Sequence, residues 1–224
     1  MTLYIVSIGF DVTHILAEVS RTKPSRGDIF YFIRPKESGE EDEALKKKRD
    51  DAEIAIESVF EVLNKFSNIR YKFLDVDDTD FTSTVLEIFD NTMYIDGKIY
   101  LDPIIVWAVG GTKSLVAILV LYGQVDPRVR KIYGFTERTG DFIEIPSVNK
   151  EYVYRKDMVK KIYDLLYSLE YNTQKISKIG SKILNKLVDD GLIIKGRGRG
   201  GKLEITDLGR IYRRRYEIRI AMEQ

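Results

Sequence analysis

Residues 103–121 decide the fold, and their sequence is PIIVWAVGGTKSLVAILVL. The apolar, β-branched run at residues 104–109 predicts a strand that is buried on both faces. Gly110 and Gly111 end this run, and the apolar residues after Ser114 continue for too long to form a strand, so they predict a helix. A strand, a glycine turn and a helix therefore follow one another. In an open parallel sheet such a turn lies at the carboxyl end of a strand, where ligands bind.

The residue types in this turn favour phosphate as a ligand. Glycines let a ligand approach the backbone, and the free N–H groups of a helix N-terminus attract anions. Thr112 adds a hydroxyl group and Lys113 adds a mobile positive charge. The spacing is not that of a P-loop for nucleoside triphosphates. An ordinary tight turn with a surface lysine is the alternative.

The start of the chain repeats this pattern. Residues 3–8 predict a buried strand, Gly9-Phe10-Asp11 a turn, and residues 12–20 a helix. Apolar runs between turn signals predict further strands at 28–34, 68–76, 130–135 and 142–145, and helical spacing predicts further helices at 52–66 and 85–89. This alternation predicts an α/β, Rossmann-like fold, with a mostly parallel sheet covered by helices on both faces. The two glycine turns then lie at the same edge of the sheet.

The composition excludes several kinds of chemistry. The chain has 224 residues and no cysteine, which excludes disulfides, zinc–thiolate sites and thiol catalysis. His14 is the single histidine, so histidine triads and multi-histidine metal sites are excluded, and we expect it on a helix surface.

The acidic run at 75–80 lacks the glycine and the closing glutamate of an EF-hand, so Asp80 or Thr82 is expected to cap a helix. No apolar run is long enough to span a membrane, which favours a cytoplasmic protein without a membrane partner.

The charges divide unequally along the chain. Residues 1–150 hold nineteen Lys and Arg against twenty-five Asp and Glu, a net charge of −6, whereas residues 151–224 hold seventeen against ten, a net charge of +7. Such a split predicts two modules with different partners, of which the basic one could meet nucleic acid. We expect a linker at 146–154 and therefore a ligand-sensing domain at 1–148 and a second domain at 149–224.

The second domain has the layout of a winged helix-turn-helix. Helices are predicted at 158–169, 173–178 and 180–188, followed by a hairpin with a glycine-rich, cationic tip at 195–202 and by a last helix after Thr206. The cations expected to contact DNA are those of the outer helix face and the wing: Lys182, Lys186, Lys195, Arg197, Arg199 and Lys202. The alternative is a winged helix that serves only dimer contacts.

Two charged segments have open roles. Residues 36–50 carry an acidic block and then a basic block, which predicts a loop running into a solvated helix start, and they could order over the ligand pocket as a lid. Arg213, Arg214 and Arg215 in the last helix could contact a protein or lie on a solvated face.

With both halves interpreted, the chain resembles the CRISPR-associated Rossmann-fold (CARF) regulators, in which a CARF sensor domain precedes a winged helix. The resemblance rests on the sequence Ser-Ile-Gly-Phe-Asp at 7–11, on Val-Gly-Gly-Thr-Lys at 109–113 and on the wing pattern. It implies a homodimer whose paired glycine turns line a symmetric pocket for a cyclic oligoadenylate, commonly cyclic tetra-adenylate, with no cofactor and no metal. The ligand-binding residues would be Ser7, Gly9, Phe10, Asp11, Gly110, Gly111, Thr112, Lys113 and Ser114.

The resemblance implies a regulator or an enzyme. Some relatives regulate transcription of CRISPR arrays and adaptation genes, and the sequence Gly-Phe-Asp after the first strand is more similar to that branch. Others are metal-independent ring nucleases, in which a lysine at the position of Lys113 supports attack of the ribose 2′-hydroxyl on phosphate and Ser7 would be the matching hydroxyl. Residues 173–192 are several residues shorter than a typical helix-turn-helix, which favours the enzyme. We expect the regulator, with the ring nuclease and a nucleotide-sensing interaction module as alternatives.

Overall fold

The chain divides by its internal contacts into two compact units. The first comprises Met1–Glu87 and Asp102–Val148, and the second comprises Ile88–Leu101 and Asn149–Gln224. The predicted domains, 1–148 and 149–224, differ from these units by the segment Ile88–Leu101, and the domain boundary stays a prediction. The structure, a computed structural model, describes these residues, with 156 and 157 as backbone alone: 1–36, 42–136, 138–146, 156–172, 180–196 and 202–224.

Strands and helices mostly alternate along the first unit, and the second unit also contains both strands and helices. The described strands are β1 (Leu3–Ser7), β2 (Ile29–Pro35), β3 (Arg70–Val76), β4 (Tyr94–Ile95), β5 (Lys98–Ile99), β6 (Ile104–Ala108), β7 (Val129–Thr136), β8 (Asp141–Ile145), β9 (Ile193–Lys195) and β10 (Leu203–Ile205). The described helices are α1 (Thr13–Thr22), α2 (Glu43–Ser67), α3 (Phe81–Met93), α4 (Lys113–Val125), α5 (Lys156–Glu170), α6 (Ser181–Asp189) and α7 (Asp207–Met222). Across these described residues, no helix is long and apolar enough to cross a membrane.

A six-stranded sheet forms the centre of the first unit. Its strand order is β3-β2-β1-β6-β7-β8. Every neighbouring pair is parallel except β7 and β8, which are antiparallel and form a hairpin from the strands predicted at 130–135 and 142–145. The predicted α/β fold with a mostly parallel sheet is therefore confirmed.

The sheet is covered on both faces because its central strands, β1 and β6, are apolar at nearly every position. On one face, Trp107 and Phe30 belong to a buried cluster with side chains of α1 and α2. The next residue along β6 from Trp107, Val106, points to the opposite face, where Gly123 of α4 packs close to it. A glycine there lets the α4 backbone approach the sheet, since an added Cβ would lie 2.7 Å from a methyl of Ile132.

Helix α2 begins nine residues before its predicted start. The sequence predicted a helix from residue 52, where the apolar period begins, and a loop before it. In the structure the Asp42 carboxylate accepts a hydrogen bond from the Ala44 N–H at 3.1 Å, and the helix starts at Glu43. Residues 43–48 are exposed, so no apolar period reveals their conformation. Of the predicted lid, residues 37–41 lie outside the described residues.

The acidic run after β3 caps a helix, as predicted. The Asp80 carboxylate accepts hydrogen bonds from the Ser83 N–H at 3.0 Å and the Ser83 hydroxyl at 2.7 Å, and α3 begins at Phe81. Among the described residues, no group of three or more His, Cys, Asp or Glu side chains could hold a metal ion.

The second unit has its own apolar core, built mainly from α5, α6, α7 and the hairpin β9–β10. Leu166, Leu187, Ile193 and Tyr216 are buried together there. The predicted cap is present, because the Thr206 hydroxyl accepts a hydrogen bond from the Gly209 N–H at 3.0 Å. The predicted helix at 173–178 lies outside the described residues, so the winged helix-turn-helix stays a prediction.

The three consecutive arginines of α7 are buried, so the solvated face, one of the two alternatives for them, is wrong. Arg213, Arg214 and Arg215 are only 4%, 8% and 8% exposed. Arg213 and Arg214 both pair with Glu170 of α5, and Arg214 also donates to Asp90 at 3.1 Å. The burial of these cations is possible because carboxylates and tyrosine rings of the same unit surround them.

Candidate functional site

The two glycine turns meet at the centre of the sheet. Strands β1 and β6 are neighbours, and the chain leaves β1 towards β2 on one side and β6 towards β7 on the other. The carboxyl ends of such a pair form the topological switch point of an open sheet, where a crevice opens. The turns touch each other: a Cβ on Gly9 would lie 2.7 Å from the Gly111 nitrogen, and one on Gly110 would lie 3.1 Å from the Gly9 nitrogen. These glycines are required by the contact between the turns.

Ser7, at the end of β1, links the two turns by hydrogen bonds. Its hydroxyl oxygen accepts hydrogen bonds from the N–H groups of Val109 at 3.0 Å and Gly110 at 3.1 Å, and its proton points to the Trp107 carbonyl oxygen at 3.4 Å. The side chain is fully buried. Ser7 was predicted as a ligand-binding and catalytic residue, but here its hydroxyl is fully engaged and holds the turns in position.

A large cavity lies above the turns, within the first unit. Its volume is about 1090 Å³. Pockets for drug-sized ligands measure about 300–1,000 Å³, so this one can take more than a mononucleotide. The walls come from both turns, from the ends of β2 and β7, and from α1, α2 and α4: Ile8, Gly9, Phe10, Asp11, His14, Arg34, Pro35, Lys36, Arg49, Ala52, Asp78, Ala108, Val109, Gly110, Gly111, Thr112, Lys113, Val116 and Phe135.

Most of the predicted ligand-binding residues line this cavity. Those that do are Gly9, Phe10, Asp11, Gly110, Gly111, Thr112 and Lys113. Ser7 lies beneath the turns, and Ser114 is turned towards the carboxylate of Asp78, which the sequence did not suggest as a site residue. The Thr13 N–H donates to Asp11 at 2.9 Å, and this bond is the main reason that the pKa of Asp11 is below its ordinary value.

The N-terminus of α4 already holds an anion. Thr112 is its N-cap, and the Thr112 hydroxyl oxygen accepts from the Leu115 N–H at 3.2 Å. The same hydroxyl donates to Asp78 Oδ2, and the Ser114 hydroxyl donates to that oxygen at 2.6 Å. Asp78 belongs to the turn between β3 and α3. A carboxylate therefore lies where the sequence predicted phosphate.

Lys113 is the cation most available to a ligand. It is exposed on the cavity wall and makes no ion pair with any residue that the structure describes. Three further cations line the cavity: Arg34, which the sequence did not suggest, and Lys36 and Arg49, which belong to the segment 36–50 suggested as a lid. Arg34 pairs with Glu53 and Asp75, and Lys36 lies 3.8 Å from a carboxylate oxygen of α3, whereas Arg49 comes from α2. Four basic and two acidic side chains thus face the cavity, which favours an anionic ligand.

His14 also lines the cavity, so it does not lie on an open helix surface as expected. Its ring stacks on Phe135 with a centroid distance of 4.4 Å. Burial lowers the pKa of His14, and the nearby Asp11 charge and a hydrogen bond with the Val109 backbone only partly offset this. The ring is therefore neutral at pH 7. Its Nε2 atom is buried and has no hydrogen-bond partner within the described part of the chain.

Four of the six residues predicted to contact DNA are described by the structure, and all four lie in the second unit. Lys182, Lys186, Lys195 and Lys202 are exposed. Lys186 pairs with a carboxylate one helical turn along α6 at 3.3 Å. Arg197 and Arg199 of the wing lie outside the described residues. At the end of the β9–β10 pair, the Gly196 N–H donates a hydrogen bond of 2.9 Å to the Lys202 carbonyl oxygen.

A family comparison identifies the domain that carries the site. The model of the Csa3 CRISPR-associated Rossmann-like domain matches residues 2–146. The chain belongs to this family. The match covers both glycine turns, the six-stranded sheet and all the cavity-lining residues. The CARF resemblance that the sequence suggested is thereby confirmed for the sensor half. Comparison with curated proteins gave no match.

Two solved structures that match this chain share little sequence with it. Csm6 of Enterococcus italicus, bound to cyclic hexa-2′-fluoro-hexa-dAMP, is 15% identical, with a TM-score of 0.46 over 85% of this chain and 55% of that one. Can2 of Sulfobacillus thermosulfidooxidans, in complex with cyclic tetra-adenylate, is 12% identical, with a TM-score of 0.32 over 95% of this chain and 61% of that one. The chain thus spans somewhat more than half the length of each.

Proposed function

We propose that this CARF-family protein senses cyclic oligoadenylate, with cyclic tetra-adenylate as the expected ring, and that the ring binds in the cavity above the two glycine turns. The observation that carries the proposal is the convergence of both turns on one large cavity whose wall holds Lys113, a lysine with no ion pair among the described residues. Family membership supports a CRISPR-associated role for that cavity.

The chemistry of the cavity suits a polyanionic ring with aromatic bases. Backbone N–H groups of the turns and the cations Lys113, Lys36 and Arg49 would bind phosphates. Phe10, 47% exposed beside the first turn, would stack on an adenine base. Ser7 would act as a positioning residue, because its hydroxyl holds the two turns together without reaching the ligand.

The proposed output is regulation of transcription. A homodimer would enclose one ring between two such cavities, and ring binding would change the placement of two basic C-terminal domains on DNA. The exposed lysines 182, 186, 195 and 202, with Arg197 and Arg199, would contact DNA phosphates.

Ring cleavage is a second candidate function, favoured by Lys113, which makes no ion pair within the described part of the chain. A ribose 2′-oxygen would attack the adjacent phosphorus, the bond from phosphorus to the 5′-oxygen would break, and the proton of the 2′-hydroxyl would pass to the leaving 5′-oxygen. The products are a 2′,3′-cyclic phosphate and a 5′-hydroxyl. Lys113 would stabilise the negative charge that develops on phosphate. The full burial of Ser7 argues against a direct part for its hydroxyl.

One experiment tests both functions. The purified protein is incubated with cyclic oligoadenylates of several ring sizes, and bound, free and cleaved species are separated by chromatography. A ring that stays bound and intact supports the sensor, and DNA binding at low salt is then measured with and without the ring. A linear product makes the nuclease primary. If no ring binds, the proposal is refuted.

A lysine pair provides the matched control. Lys113→Ala removes a charge-assisted hydrogen bond to phosphate, worth about 1.5–3 kcal/mol, so the Kd for the ring should rise about 10- to 100-fold. Lys131→Ala removes the same charge from β7, outside the cavity, and should change the Kd less than threefold. Equal effects of both substitutions would contradict a phosphate contact of Lys113.

A further inference from the structure

Asp78 has no assigned role, yet it lies at the point where a ligand phosphate would be expected. Its Oδ2 atom accepts hydrogen bonds from the hydroxyls of Thr112 and Ser114, which flank the first residue of α4. The two hydroxyl oxygens are 3.0 Å apart, so both converge on one acceptor. Asp78 also lines the cavity, where a ligand can reach it.

A carboxylate and a phosphate compete for this position because they use the same interactions. Both are stabilised by the partial positive charge of a helix N-terminus and by hydroxyl donors. They cannot occupy the position together, since two anions on the same donors repel each other. In the ligand-free protein the position is therefore filled by the chain itself.

The turn that carries Asp78 is held by its other residues. The Asp77 carboxylate accepts from the Thr79 N–H at 3.1 Å, and the Thr84 hydroxyl donates to the Asp77 carbonyl oxygen at 2.5 Å. Asp80 caps α3. Release of Asp78 from α4 thus requires a rotation of its side chain and leaves these contacts in place.

We propose that Asp78 is an affinity-setting residue: an internal anion that occupies the phosphate position at α4 and must be displaced by any phosphate that binds there. This inference rests on the proposed sensor function. The apparent Kd equals the intrinsic Kd divided by the fraction of protein with Asp78 displaced. Each phosphate that binds at an α4 N-terminus is weakened by this factor. A mononucleotide, held by few contacts, then binds too weakly to be retained, whereas a ring held by several phosphates and bases still binds.

The test compares Asp78→Asn with wild type for two probes, cyclic tetra-adenylate and adenosine 5′-monophosphate, by isothermal titration calorimetry. Asparagine keeps the shape but removes the charge that makes the internal contact strong. We expect the Kd for the mononucleotide to fall about tenfold and the Kd for the ring to fall at least tenfold, since a ring between two protomers displaces Asp78 from both. Asp77→Asn makes the same charge change in the same turn outside the cavity, and it should alter either Kd less than twofold.

The outcomes separate this inference from the proposed function. Unchanged or weaker binding of both probes by Asp78→Asn overturns it, because Asp78 then only orients the two hydroxyls. A gain for one probe alone also overturns it, since a shared competitor must act on both. If neither the wild type nor any variant binds the ring, the sensor function fails, and the mononucleotide alone decides the role of Asp78. If neither the wild type nor any variant binds either probe, both proposals fail. Asp78→Ala, which removes the competitor entirely, must give at least the gain of Asn, and thermal melts confirm that each variant is folded.

Discussion

Replacing Ser7 by alanine should destabilise the first unit and loosen its glycine turns. The substitution removes one oxygen that accepts hydrogen bonds from the N–H groups of Val109 and Gly110. Both donors would be left without their acceptor beneath the turns, where Ser7 is fully buried. Each buried unsatisfied donor costs about 1–3 kcal/mol, so the free energy of unfolding should fall by about 2–4 kcal/mol, allowing for partial relaxation.

Thermal and urea unfolding of the purified variant measure this loss. For a chain of this size 1 kcal/mol corresponds to about 2–4 °C, so the Tm of the first unit should fall by roughly 5–12 °C. Hydrogen exchange gives a local measurement, because the amides of Val109 and Gly110 should exchange faster in the variant. Ser58→Ala is the control, since the exposed Ser58 hydroxyl donates only to a helix carbonyl of α2, and the Tm should stay within about 2 °C.

Two results would refute this reasoning. If Ser7→Ala is as stable as Ser58→Ala, the hydroxyl does not hold the turns together. If the Tm falls but the amide exchange of Val109 and Gly110 is unchanged, the loss arises elsewhere in the sheet. In either case Ser7 would return to consideration as a ligand contact.

Three further predictions concern packing, a buried ion pair and pH. Gly9→Ala places a Cβ 2.7 Å from a backbone nitrogen of the opposite turn, so it should cost about 1–3 kcal/mol and abolish ring binding in a calorimetric titration, whereas Gly180→Ala meets nothing within 4 Å and should be nearly neutral in a thermal melt. Arg128→Met leaves the fully buried Asp126 charge unpaired and should cost about 3–5 kcal/mol in urea unfolding; a double variant that adds Asp126→Asn should recover most of the loss, and no recovery would contradict the ion-pair explanation. Because burial depresses the pKa of His14 below its ordinary value of 6.5, the unfolded chain takes up this proton first, so stability should fall as the pH is lowered through 6.5 towards the folded pKa; His14→Gln should lack this component in a Tm–pH series.

The sheet was predictable from sequence because its central strands are apolar on both faces. Such runs are short and are followed by glycines, as at β1 and β6, so few structures other than a buried strand fit them. The exposed start of α2 was missed, because a helix without an apolar face has no period. The hairpin β4–β5 was missed as well, although its turn, Asp96-Gly97, is a strong hairpin signal: both residues have positive φ, 53° and 74°.

The glycine turns of the site were predictable, but its charges were not. The turns follow their strands directly, so local sequence indicates them. Asp78 lies 34 residues before Thr112 and contacts it only because the turn after β3 reaches the N-terminus of α4. Arg34 and Lys36 at the end of β2 have no local feature that marks them. A rule that inspects the last residues of every parallel strand and those directly after them would have found all three.

The buried arginines of α7 change what the charge of the C-terminal half means for DNA binding. Binding to DNA releases about 0.9 counterions for each phosphate that a cation neutralises, and this release sets how steeply affinity falls with salt. Arg213, Arg214 and Arg215 are held against carboxylates or tyrosine rings of their own unit and release no counterions. The six predicted contacts alone would give a slope of log affinity against log salt of about −5 per protomer, whereas adding the three arginines would give about −8. DNA binding should therefore persist to higher ionic strength than the formal charge of this half indicates.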